Sequence, residues 1–63
     1  MKIITKEYKI LKDGIDTERT VAFVVPYKTE RVNDAFRRLK EDYPEEEGYW
    51  LIRIRTSIED TEK

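Results

Sequence analysis

Neither cysteine nor histidine occurs in this sequence of 63 residues. Their absence removes disulfides, thiolate and imidazole metal ligands, and the side chains that most often act as nucleophile or general base near neutral pH. Glycine is almost as scarce. Gly14 and Gly48 are too few for a phosphate-binding loop or a dinucleotide fingerprint. The single serine, Ser57, has no imidazole to activate it. Paired carboxylates need a cleft that holds them at fixed separation, and a domain with one helix has little room for one. The sequence is therefore not expected to be an enzyme, and no cofactor, metal or small-molecule substrate is expected. No apolar run approaches the ~20 residues of a membrane span, and the start MKIITKEYK lacks the apolar centre of a signal peptide, so the expected location is cytoplasmic, with no membrane partner.

Charge is abundant, and it is balanced. Charged residues make up 43% of the chain, yet the net charge is −1 and the isoelectric point is about 5.4, which describes a mixed, well-hydrated surface rather than a strong polyanion binder. The length fits one domain. A domain this small buries only about 60% of the surface its unfolded chain exposes.

The apolar residues are periodic. Val32, Ala35, Phe36, Leu39 and Tyr43 recur at helical spacing and predict one amphipathic helix over Thr29 to Tyr43, with Thr29 as its N-cap and Pro44 as its stop. Asp34 to Arg38, Arg37 to Glu41 and Arg38 to Asp42 are opposite charges at i,i+4, the spacing that stabilises an exposed helix face. Strand-like alternation places a first strand at Lys2 to Lys12, with Ile4, Tyr8 and Ile10 on one side, and a second at Arg19 to Val25, with Val21, Phe23 and Val25 facing the helix. Between them, Asp13 to Thr17 reads as a hairpin loop of several residues; its acids Asp13, Asp16 and Glu18 lack the spacing of a calcium loop. The third strand is Tyr49 to Ile58, with Trp50, Ile52, Ile54 and Ile58 assigned to the helix side.

These elements predict an α+β fold, a small β-β-α-β domain over residues 1–58 followed by a frayed polar tail over 59–63. Its three-stranded sheet carries one helix packed on one face. The third strand can lie antiparallel beside the first or parallel beside the second. Parallel sheets usually need cover on both faces, so a single helix favours the antiparallel arrangement. Strands of six or seven residues would match the helix in length.

One helix covers one face, and the other face is left to do something. The expected function is protein interaction, either with a copy of itself as a homodimer or with a larger protein as an inhibitor or regulator. Val24, Tyr49, Leu51, Arg53 and Arg55 are the expected contact residues on the open face. The acidic run Glu41, Asp42, Glu45, Glu46 and Glu47 is a second candidate docking element, able to imitate nucleic-acid phosphates. The alternative is single-stranded nucleic acid, with Tyr49 stacking a base and Arg53 and Arg55 holding phosphates, against which the acidic balance of the chain counts.

Overall fold

The structure, a computed structural model, describes residues 1–61. Its elements are β1 (Lys2–Lys12), β2 (Ile15–Pro26), α1 (Thr29–Asp42), a 3-10 turn (Glu45–Glu47) and β3 (Tyr49–Asp60). The sheet order is β2-β1-β3 and both pairings are antiparallel, so β1 is the central strand of a small α+β fold.

The hairpin is tighter than its letters suggest. Asp13 and Gly14 both have positive φ (54° and 80°) and form a two-residue turn, the geometry whose twist matches the flanking strands. The following acids are part of β2, not of a loop. There the register slips between Ile10, opposite Arg19, and Leu11, opposite Asp16. The displaced residues are held locally. The Glu18 N–H donates to Asp16 Oδ1 (2.7 Å), the Thr17 hydroxyl donates to the Ile10 carbonyl (2.7 Å), and Lys9 Nζ lies 3.0 Å from Asp16 Oδ2. The Glu18 backbone donor and then Lys9 hold the Asp16 carboxyl below the usual carboxylate range.

Strand length is where the structure departs furthest from the alternation in the sequence. At 11 or 12 residues, each strand spans roughly 36–40 Å, whereas the helix of 14 residues spans about 21 Å. The sheet thus overhangs the helix. β3 also continues through Glu59 and Asp60, where fraying is expected. Thr61 is tied back to Met1 through its N–H and hydroxyl, at 2.7 and 3.0 Å from the Met1 carbonyl. Residues 62–63 of the expected tail lie outside the described residues.

In α1 the half-buried side chains are those of the apolar stripe, Val32, Ala35, Phe36 and Leu39, and Tyr43 continues the stripe at the C-cap. Thr29 is the first helical residue rather than the cap. Lys28 caps with its backbone alone: its extended conformation leaves its carbonyl to accept from Val32 N–H at 3.0 Å. At the other end Tyr43 N–H reaches the Leu39 carbonyl (2.9 Å), and Pro44 cannot continue the turn. The ion pairs on the helix are Asp34 with Arg37, one turn apart, and Lys40 with Glu45 beyond the helix end (3.2 Å).

The helix contacts β2 chiefly, and reaches the β3 side through Tyr43 at its C-terminal end. The core is accordingly thin. Ile4, Tyr8 and Ile10, all on β1, are the buried hydrophobic residues. The Tyr8 ring lies 5.3 Å from that of Phe36 on the helix and 6.2 Å from that of Phe23 on β2, which joins the three elements at one point.

Candidate interaction face

Paired residues in a sheet share a face, so the contact between Tyr8 and Phe36 orients the whole grid. The even-numbered residues of β1 face the helix. Tyr49, Leu51 and Arg53, which pair with Lys12, Ile10 and Tyr8, face the same way. The predicted facing of β3 is therefore reversed over its first half: Tyr49, Leu51 and Arg53 lie on the helix side, and Trp50 and Ile52 do not.

Two local contacts show why. Tyr43 at the end of the helix meets Tyr49 edge to face with ring centroids 5.3 Å apart, and Lys12 Nζ sits 4.4 Å above the Tyr49 ring. The connector between helix and strand is a single 3-10 turn closed by Gly48, whose carbonyl accepts from Asp13 N–H (2.8 Å). So short a link lands the first residue of β3 beside the last residue of the apolar stripe. Midway along β3 the register then slips: Glu7 pairs with Arg55, Tyr8 pairs with Arg53, and Ile54 is left without a partner on β1. Beyond this bulge the parity changes. Thr56 and Ile58 return to the helix side, as expected for Ile58, while Arg55 joins the open face.

On the open face, β1 contributes Ile3, Thr5, Glu7, Lys9 and Leu11. Val24 and Ala22 lie beside it on β2, and Trp50, Ile52 and Arg55 on β3. Val24 is 58% exposed, Trp50 56% and Ile52 42%, while Ile3 and Leu11 are half-buried, so much of the apolar surface of this face stands in solvent. Charge is interleaved with them: Glu7 is directly opposite Arg55, and Lys9 is paired with Asp16. Of the five contact residues predicted from sequence, Val24 and Arg55 share this face, while Tyr49, Leu51 and Arg53 lie across the sheet from them.

Trp50 and Ile52 are the residues that strict alternation sends to the wrong side of the sheet. Both parities of β3 are apolar, and strict alternation sends the bulkier set inward. The length of the link from Tyr43 to Tyr49 is the signal that would have decided otherwise.

The acidic candidates lie at the helix C-terminal end. Glu41, Asp42, Glu45, Glu46 and Glu47 are all exposed, Glu45 is held by Lys40, and among the described residues no cluster of acids is arranged to hold a metal ion. Glu41, Glu45 and Glu46 border a wide, open depression with Lys40 and Pro44. A second hollow, between Phe36, Tyr43, Tyr49 and Leu51, measures about 140 Å³, below the roughly 300–1,000 Å³ of typical ligand sites. No helix among the described residues is long and apolar enough to cross a membrane.

Burial raises the Tyr8 phenol above its ordinary value, and nearby Arg53 pulls the other way without reversing the shift. The folded chain therefore holds this proton more tightly than the unfolded chain does. Its contribution to stability is complete below the ordinary tyrosine value near 10 and is lost as pH rises through the raised folded value. Thermal melts above pH 10 should fall less steeply for Tyr8→Phe than for the parent. Identical slopes would show that the Tyr8 phenol is not linked to folding.

Comparison with known proteins finds no matching family model, no similar curated protein and no similar solved structure.

Proposed function

We propose that this chain is a cytoplasmic, non-enzymatic protein-interaction module that binds through the open face of its sheet. The observation that supports this reading is the exposure of Trp50, Ile52 and Val24 on the side of the sheet away from α1. Contiguous apolar side chains rimmed by charge are a liability in water unless something covers them. Trp and Arg, both present here, are the residue types that most often anchor protein interfaces. The nucleic-acid alternative is weaker, because Tyr49 and Arg53 lie across the sheet from Arg55 and do not form one platform.

The test separates binding from folding. Compared at a protein concentration where the parent is monomeric, Trp50→Ser combined with Ile52→Ser should change unfolding free energy by no more than about 1 kcal/mol, since surface positions usually contribute little. The same pair should abolish binding of an apolar fluorescent dye such as ANS, together with any self-association seen by sedimentation. If the double variant instead unfolds, these side chains support the fold and the interaction reading fails.

A further inference from the structure

We propose that the occupant of the open face is a second copy of this chain, packed sheet to sheet with the two central strands antiparallel. The inference rests on the interaction reading above and adds the identity of the partner. Three observations carry it.

The first is area. Strands of about 40 Å set about 4.8 Å apart make a face roughly 40 Å by 14 Å, so two such faces bury on the order of 1,100 Å² in total, just above the ~1,000 Å² that a specific interface needs. The second is the thin core. Small domains with little buried surface commonly complete their core by oligomerisation, and here the buried hydrophobic side chains come from β1 alone. Sheet-on-sheet packing would place Trp50, Ile52, Leu11 and Val24 in a second apolar layer about 10 Å thick.

The third is charge. Along β1 the open face reads Ile3, Thr5, Glu7, Lys9, Leu11, with the two opposite charges at its centre. A two-fold axis across the strands, passing between Glu7 and Lys9, sets Glu7 of each copy over Lys9 of the other. The same axis keeps β3 over β3 and β2 over β2, so it sets Leu11 of each copy over Thr5 of the other and Trp50 over Ser57. A parallel stack would oppose Glu7 to Glu7 and Lys9 to Lys9. Arg55 beside Glu7 and Asp16 beside Lys9 leave the face close to neutral, so a second copy meets no net repulsion.

Sedimentation equilibrium from about 1 µM to about 1 mM tests the proposal. The parent chain is expected to be a dimer in the upper part of this range. Because Trp50 is the only tryptophan, its emission should shift to longer wavelength as dilution separates the copies. Glu7→Lys and Lys9→Glu should each weaken association at least about tenfold, since each makes the centre of the face repel itself. An equimolar mixture of the two variants should associate again, because each then meets its opposite. Far-UV circular dichroism identifies any variant that has not folded, and the Trp50 dilution series needs no variant.

A parent chain that stays monomeric at about 1 mM overturns the proposal, as does a dimer insensitive to both charge reversals. In the monomeric case, dye binding that disappears in the Trp50→Ser and Ile52→Ser variant keeps the interaction face and rejects only the second copy. A monomer that binds no dye rejects both.

Discussion

Tyr8→Ala is expected to unfold the domain at room temperature. Tyr8 is buried at the centre of β1, with Phe23 on one side and the helix residue Phe36 above it. Truncating a large aromatic side chain in a core typically costs about 3–5 kcal/mol. At 0.05–0.15 kcal/mol per residue, a chain this size has roughly 3–9 kcal/mol in total. The loss is therefore at least about a third of that total and, at its lower end, all of it. The helix would suffer first, since it has no fully buried residue of its own and is held through Phe36 and the neighbouring stripe. Urea titration followed by far-UV circular dichroism gives the answer, at fixed protein concentration because association would add to apparent stability. A cooperative transition near the parental midpoint would show that the Tyr8 junction is not the centre of the core.

Gly48→Val is expected to cost about 3 kcal/mol, the upper end for a residue forced into a sparsely populated backbone region. Gly48 closes the 3-10 turn with φ of 92°, a conformation that β-branched residues strongly avoid. Its missing side chain also has a neighbour: a Cβ there would collide with the Asp13 carboxylate. Asp13 can swing aside, because it is exposed, but its N–H donates to the Gly48 carbonyl and fixes how close the two turns lie. The substitution thus strains the link and loosens the contact between the hairpin and the start of β3. Gly14→Val is the informative comparison, since that position also has positive φ yet meets open space. Equal losses at the two positions, measured by thermal denaturation, would assign the cost to backbone strain alone and none to Asp13.

Much of this architecture is legible in the residues. The stripe Val32, Ala35, Phe36, Leu39 and Tyr43 defines the helix and its packed side. Ile4, Tyr8 and Ile10 define the core strand, and the single helix argues correctly for an antiparallel sheet. What is not legible comes from departures from period two. At Asp16 to Glu18, a Thr17 hydroxyl and an Asp16 carboxylate hold displaced residues inside a strand whose letters read as a loop. At Ile54, one unpaired residue changes parity, so that Leu51 and Ile58 both face the helix although one is odd and the other even. A pattern rule applied to the whole of β3 cannot satisfy both. Of the candidate contact residues, Val24 and Arg55 lie on the side of the sheet away from the helix, whereas Tyr49, Leu51 and Arg53, from the first half of β3, lie on the helix side.

The central position of β1 also governs the order in which the chain assembles. β1 and β2 meet through a two-residue turn, and such hairpins close in about 1–10 µs. The pairing of β1 with β3 joins residues from 37 positions apart (Lys12 with Tyr49) to 58 apart (Lys2 with Asp60), and contacts of that separation are slow to form. Until β3 arrives, one whole edge of β1 is vacant, and it will accept the β3 of another molecule with the same hydrogen bonds as its own. At high protein concentration, refolding therefore becomes a competition between closing the chain on itself and exchanging strands between neighbours.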